Sequence, residues 1–525
     1  MKQIAITGMV VMGMFLAGFG ISRASAGEPK VLRADNVYAR GTAECPDAVV
    51  AANGDIIVVF SNHGDVQPGN ESLFIRSSDG GKTWSDVYLK IGADDPKETG
   101  TAVFDFLKLD NGNILAARTD IYMPGGQLSK HQTTRLDILQ STDNGKSFNK
   151  ISSARFPKGE LAAPYGPMVK LADGSIIMPG FIQNVGNGYW QSRDQGKSWS
   201  DFRVVWQDPP EGVKQHLWFN ETAYEVLKDG LIVAIARNDV NDVFYRIESK
   251  DNGRTWSKPL PLAILGGSPA LQLMADGSLI IAIRDAGRVG TNIYQSHDEG
   301  RNWRYLFSLA APEGVPALPT QRWERPKVDQ AWQPGEGHSG YPAIVQLPDG
   351  KLYIVTHVHN IHSPPAAPGR DTYGLMGHLV SNPKDGKGDG AEQVFAVSQI
   401  GAILRAQIIS GPAVAPALID STVGKGLQIT PQRIENRTSN DAEVHQNEDD
   451  IFYILDGSAT FHLGGTLHDT WTYSPGNMAG HEQKGAREYV VGAGDLVFVP
   501  RGTVHRITCP DGFVEVLMIK RAEER

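Results

Sequence analysis

Cysteine is nearly absent: the chain has two in 525 residues, Cys45 and Cys509. The spacing argument below places them in different domains, so a disulfide framework does not hold this protein together. Positive charge is also short. With 50 Lys and Arg against 59 Asp and Glu, the net charge is -9 and the pI about 5.9, which argues against nucleic acid or an anionic membrane as partner. Long apolar runs are missing except for Ile4 to Phe19, so no membrane span is expected in the mature chain. That run follows Lys2, is interrupted by glycines and leads to Ala24-Ser25-Ala26, the pattern of a secretory signal peptide over residues 1–26. The expected location is secreted or periplasmic.

Glycine and turn signals are plentiful. With 58 Gly and 41% hydrophobic residues, the composition fits a turn-rich all-β protein with large cores. Ser77-Ser78-Asp79-Gly80-Gly81-Lys82-Thr83-Trp84 sets a pattern that returns at Ser141 to Phe148, Ser192 to Trp199, Ser249 to Trp256 and Ser296 to Trp303. In each copy a short Asp and a Gly make a tight turn, hydroxyls close local backbone bonds, and an aromatic packs beneath. A second series runs in step: Asn53-Gly54, Asn111-Gly112, Asp173-Gly174, Asp229-Gly230, Asp276-Gly277 and Asp349-Gly350 each lie between apolar runs. These read as six hairpins, and a unit repeated roughly every 47 to 64 residues reads as blades around an axis.

Counting eight residues back from each turn reaches the start of the preceding strand: Cys45 beside Glu44, Val103, Tyr165, Glu221, Ser268 and Tyr341. If the blades are equivalent, these residues converge at one mouth of the central channel.

The boxes resemble the Asp-box (BNR) repeats of the sialidase superfamily, over about residues 35 to 385. The resemblance implies a six-bladed β-propeller spanning 27–385. Tyr341-Pro-Ala-Ile-Val-Gln-Leu-Pro-Asp-Gly is similar to the stretch that carries the nucleophilic tyrosine, and Asn220-Glu221-Thr222 to that of its partner glutamate. A phenol has a pKa near 10, so a carboxylate must take its proton as it attacks. Sialidases grip the substrate carboxylate with three arginines; Arg237 matches one, and Arg288, with Arg284 as the alternative, matches another. The third falls where this chain has Glu44-Cys45-Pro46, an acid in place of a cation. Poor hydrolysis of simple sialosides is therefore expected, and a different terminal sugar. Asp65 lies at about the offset of the family's acid catalyst, with His63 beside it. No cofactor is expected in the propeller.

Residues 386–393 continue a polar, Gly-rich linker, and 394–525 differ in kind. Gly494-Asp-Leu-Val-Phe-Val-Pro500-Arg-Gly502-Thr-Val-His505 fits the second motif of cupins, and His445 to Gly457 resembles the first, with Asn447 where a second His belongs and Asp450 where a Glu belongs. The resemblance implies a small antiparallel barrel. It would hold a divalent metal (Zn, Fe, Mn or Ni) through His445, Asp450 and His505, with His481 as a recruit; a metal-free barrel used for binding or for homodimerisation is the other reading. The resemblances together imply a secreted, exo-acting glycoside hydrolase acting on a glycan and retaining through Tyr341. A carbohydrate-binding propeller without catalysis and a uronic-acid lyase are the alternatives.

Overall fold

The computed structural model describes residues 29–38, 43–62, 67–126, 130–210, 216–240, 242–285, 291–309, 339–359, 373–381, 404 and 427–522. The expected signal peptide and linker lie outside the described residues. No helix among those described is long and apolar enough to cross a membrane.

Strands fill six antiparallel sheets in sequence order. Blade one is Glu44–Val50, Ile56–Ser61, Ser72–Ser77 and Leu89–Ile91; blade two is Thr99–Lys108, Ile114–Tyr122, Gln132–Ser141 and Asn149–Ser153. In blade three the inner strand comes in two pieces, Ala162–Pro164 and Val169–Lys170, followed by Ile176–Ile182, Gly186–Ser192 and Arg203–Val204. Blades four (Phe219–Val226, Ile232–Asn238, Val243–Ser249) and five (Leu279–Asp285, Thr291–Ser296, Arg304–Leu309) share one long strand, Leu260–Leu273. Its first part is the outer edge of blade four and its second part the inner edge of blade five. Blade six is Ser339–Gln346, Leu352–His359 and Tyr373–Val380, completed by Val31–Tyr38 from the other end of the propeller.

The middle strands are near-continuous apolar runs because they are covered on both faces. Ile56–Ser61 is buried at every position, as in strands sandwiched between layers. Six apolar cores result, each between two blades. Ile57 and Phe74 meet Ile114 between blades one and two, Ile138 meets Trp190 between two and three, and Ile177 meets Tyr224 between three and four. Ile235 meets Ile281, Ile280 meets Ile354, and Val355 meets Val58 and Phe60, which closes the ring.

The boxes form as their chemistry predicts. Ser77 Oγ accepts the Gly81 N–H at 2.9 Å and donates to Asp79 Oδ1 at 2.8 Å, while Asp79 takes the Thr83 N–H and hydroxyl at 3.0 and 2.6 Å. Trp84 Nε1 donates to Gly81 O. The glycine-to-serine bond recurs at Ser141, Ser192, Ser249 and Ser296. The Thr83 hydroxyl bond is the chief reason the Asp79 carboxyl is held at about 2. The hairpin turns place glycine at φ of 82 to 89°, and each closes with a glycine N–H to a carbonyl three residues back, as Gly54 N does to Ala51 O.

The C-terminal unit is all-β and antiparallel. Two long strands, Glu448–Leu463 and His505–Ala522, are shared by two sheets that also contain Leu427–Arg437, Ala442–His445, Thr466–Ser474, Asn477–Lys484, Arg487–Gly492 and Leu496–Val499. They wrap a core of Phe452, Ile454, Phe461, Val499, Val514 and Val516.

Candidate active site and candidate metal centre

Every inner strand is broken by a short irregularity. Cys45-Pro46, Asp105-Phe106, Asn220-Glu221, Ser268-Pro269 and Tyr341-Pro342 fall inside register shifts, and Tyr165-Gly166-Pro167 lies between the two pieces of blade three. Cys45, Asp105, Ser268 and Tyr341 have φ of 48, 62, 52 and 45°, a left-handed backbone that costs a non-glycine residue roughly 1–2 kcal/mol. Proline suits the next position, since a bulged residue gives no ladder N–H.

These breaks bring side chains from different blades together. Ser268 donates its N–H to Glu221 Oε2 at 2.8 Å and its hydroxyl at 3.2 Å. Arg237 Nη1 lies 3.1 Å from the same oxygen and Nη2 3.4 Å from Asp239. Arg284 sits with its guanidinium carbon 5.1 Å from the centre of the Tyr341 ring. Gly267 lies against both guanidiniums, and a Cβ there would meet Arg284 Nη2 at 2.9 Å and Arg237 Nε at 3.3 Å. Burial pushes the Glu221 carboxyl up, but Arg237, Arg284 and the Ser268 N–H outweigh it and leave it below the ordinary glutamate value. Tyr165 joins the group: burial, then the charges of Glu221 and Tyr341, push its phenol well above the usual range, against a hydrogen bond with Ser268.

Five of the six strand-start positions therefore converge. The exception is Val103, which is fully buried in the core between blades one and two and donates its N–H to Ser72 Oγ. The break in blade two comes two residues later, so Asp105 takes that place, and the sequence count missed it. Its neighbour is Asp47, whose Oδ2 accepts the Asp105 and Phe106 N–H groups at 2.7 and 3.3 Å. Burial raises Asp47 to about 6, and burial together with Asp47 raises Asp105 well above the usual range.

Of the arginines expected to grip a substrate, Arg237 is already paired with Glu221, and Arg284, the alternative, occupies the site. Arg288, Asp65 and His63 lie outside the described residues. Glu44 is buried beside Cys45 and His357. His357, another residue the sequence reading missed, stacks on Tyr341 with ring centres 5.5 Å apart and accepts the Cys45 N–H on Nδ1 at 3.2 Å. Counting eight residues forward from the turns, rather than back, would have found it: Asp229, Asp276 and Asp349 then lead to Arg237, Arg284 and His357.

A cleft of about 420 Å³ elsewhere is lined by Arg118, Arg135, Asp137 and Lys150, where Asp137 is already paired with Arg135 and Lys150.

In the C-terminal unit His445, Asp450 and His505 meet. His445 Nε2 and His505 Nε2 lie 3.3 and 3.4 Å from Asp450 Oδ2, and His505 Nε2 lies 3.4 Å from Glu443. Glu443, which the expected set lacked, joins it. The strand Ala442–His445 ends before Asn447, which is exposed in the following bend, whereas Glu443 shares the inward face with His445 by the two-residue period. Glu443-x-His445-x4-Asp450-x6-Gly457 was legible by counting back from Gly457. His481 is not recruited; it pairs with Asp441 and stacks on Trp471.

This set fits a divalent metal. His445 Nδ1 is bonded to Asn477 Oδ1 at 3.1 Å and His505 Nδ1 to the Thr503 carbonyl at 3.2 Å, so each ring carries its proton there and turns an Nε2 lone pair inward. Both Asp450 oxygens and His505 Nε2 are buried without a hydrogen bond. Lys520 enters the same space, with Nζ 2.9 Å from His445 Nε2 and 3.5 Å from Asp450.

Residues 118–354 match the family model of the BNR repeat-like domain. No curated protein matches the chain. Among solved structures, a protein of unknown function from Dyadobacter fermentans DSM 18053 has a TM-score of 0.51 at 18% identity, covering 68% of this chain and all (100%) of that one. A Hadza microbial sialidase has a TM-score of 0.47 at 16% identity, with 64% and 65% covered. An α-L-arabinanase of Penicillium chrysogenum, complexed with arabinobiose, has a TM-score of 0.47 at 15% identity, with 68% and 99% covered.

Proposed function

We propose that the propeller is an exo-acting glycoside hydrolase that retains configuration through Tyr341. The observation that carries this reading is that Arg284 lies over the ring of the half-buried Tyr341 and, with Arg237, also keeps ionised a carboxylate, Glu221, that Ser268 fixes. In the first step the Tyr341 oxygen attacks the anomeric carbon and its proton passes to Glu221. The glycosidic C–O bond breaks, and the leaving oxygen takes a proton from an acid, the role that the sequence assigns to Asp65. In the second step water, losing its proton to that residue, attacks the anomeric carbon, and Tyr341 leaves and recovers its proton from Glu221. Ionised Glu221 is a weak base, but the two guanidiniums that hold its proton affinity down also stabilise the negative charge that grows on the phenol.

Glu44 stands where a third arginine would seat a substrate carboxylate, and its repulsion favours a terminal sugar other than sialic acid. The C-terminal unit, read as a cupin, would hold a first-row divalent metal through Glu443, His445, Asp450 and His505. Such an ion would supply Lewis acidity there, while Asn477 and Thr503 hold the two imidazoles in the tautomer that ligates.

The test is a panel of fluorogenic glycosides and polysaccharides given to the wild type and to Tyr341→Phe. Turnover that falls by about a thousandfold or more in the variant, with an unchanged circular dichroism spectrum, supports the reading. An unsaturated product absorbing in the ultraviolet would make it a lyase, and glycan binding without turnover a recognition protein.

A further inference from the structure

The place of the missing arginine is not simply a reversed charge. Glu44, Cys45 and His357 each offer one ligand atom, and these atoms lie within 4.8 Å of one another. We propose that they form a second metal site, at the propeller mouth, for a borderline-soft divalent ion such as Zn²⁺.

Geometry and donor type both support this. Tetrahedral zinc, with bonds of about 2.0–2.3 Å, sets its ligand atoms roughly 3.3–3.8 Å apart, so a small closure completes the shell. A thiolate with an imidazole and one carboxylate selects zinc-like ions over Mg²⁺ or Ca²⁺, which prefer all-oxygen shells. Cys45 has a left-handed backbone at φ 48° next to Pro46, and Glu44 and His357 are 9% and 1% exposed, on the inner strand of blade one and the middle strand of blade six. His357 Nδ1 accepts the Cys45 N–H, so that nitrogen is unprotonated, as a ligand must be. Metal binding through Nδ1 would replace this 3.2 Å bond.

Three protein ligands leave one position open, the arrangement of catalytic rather than structural zinc. The His357 ring contacts that of Tyr341, with centres 5.5 Å apart, so the site adjoins the proposed nucleophile. The ion's two positive charges would balance Glu44 and the thiolate. Its remaining Lewis acidity would take an oxygen of the substrate, a hydroxyl or carboxylate, where the sialidase pattern has an arginine. The role toward substrate rests on the glycosidase reading; the metal site does not.

The experiment uses the full chain carrying His505→Ala, which disables the C-terminal set, loaded with Co²⁺. Cys45 is one of two cysteines, and the other, Cys509, is buried at the Ile434 carbonyl, away from any cluster of ligating residues among the described ones. A thiolate-to-cobalt charge-transfer band in the near ultraviolet therefore reports Cys45. The band is expected in His505→Ala, lost when Cys45→Ser is added, and kept when Cys509→Ser is added. Glu44→Gln, which preserves shape and thiol, should weaken Co²⁺ binding by about tenfold or more. Absence of the band, its survival in Cys45→Ser, or Co²⁺ binding that His505→Ala abolishes altogether overturns the proposal. Tyr341→Phe should keep the band whether or not it abolishes turnover, so failure of the glycosidase reading and failure of the metal site are distinguishable.

Discussion

Ser268, on the inner strand of blade five, donates both its backbone N–H and its hydroxyl to one oxygen of Glu221 on blade four, at 2.8 and 3.2 Å. The left-handed backbone at Ser268, φ 52°, is part of the break that brings these groups into reach. Together with two guanidiniums, the bond fixes Glu221 as an acceptor, below its ordinary pKa although burial alone would raise it.

The first prediction concerns pH. If Glu221 is the base, kcat/KM falls as pH drops through the pKa of Glu221 in the free enzyme, which lies below the usual glutamate value. Arg284→Met removes one of the charges that lower it, so the acid limb should move to higher pH while kcat also falls. A pH–rate profile on the best substrate of the panel measures this; a limb that stays in place would assign the base elsewhere.

Two desolvated carboxyls should make the fold less stable as pH rises. Asp47 and Glu225 are raised chiefly by burial, to about 6 and about 7, against backbone N–H bonds that pull the other way. A carboxyl raised in the folded state stabilises fully below its unfolded pKa of about 4 and loses that contribution as pH climbs through the folded value, on the order of 1–3 kcal/mol each. Melting temperature should therefore drop between pH 5 and pH 8 beyond what other groups cause, and the drop should be smaller in Glu225→Gln. An equal drop in wild type and variant would remove Glu225 as a cause.

Gly80 and Gly81 adjoin in the first box, both left-handed at φ 72 and 86°. A Cβ at Gly80 meets nothing, whereas at Gly81 it would lie 2.3 Å from the ring of buried Tyr353, whose hydroxyl bonds Gly81 O at 3.1 Å. Gly80→Ala should cost about 1–2 kcal/mol for the backbone alone, and Gly81→Ala clearly more, since the junction of blades one and six must open. Denaturant unfolding of the two variants compares them, and similar losses would mean that the junction yields easily.

In the C-terminal unit, Glu443→Gln should weaken divalent-metal binding by about tenfold or more, and Asn447→Ala should leave it unchanged. Lys520→Met should strengthen it, because an ammonium 3.5 Å from Asp450 competes for the same carboxylate. Calorimetric titration of Zn²⁺ or Mn²⁺ into the chain measures all three. Tighter binding with Lys520 than without it would make the lysine part of the shell.

The propeller is legible in the chain alone, because a blade is a local object. Ser141 to Phe148 or Asp276-Gly277 closes its own turn with its own atoms, and an apolar run such as Leu279 to Ile283 needs only apolar neighbours on both faces, here those of blades four and six. Repetition then places Tyr165, Glu221, Ser268 and Tyr341 at equivalent strand starts without reference to any contact between blades. What only the tertiary structure decided was who meets whom across blades. A two-residue offset of the break in blade two put Asp105 rather than Val103 at the wall, a distinction that depends on backbone torsion and not on residue type. His357 had no motif around it, and it matters because the ring closes, bringing blade six against Glu44 and Cys45 of blade one. Glu443 is different, since the spacing back from Gly457 already pointed to it, and the end of strand Ala442–His445 short of Asn447 agrees. Side-chain direction in a sheet follows register, and register is set by pairing with strands distant in the chain.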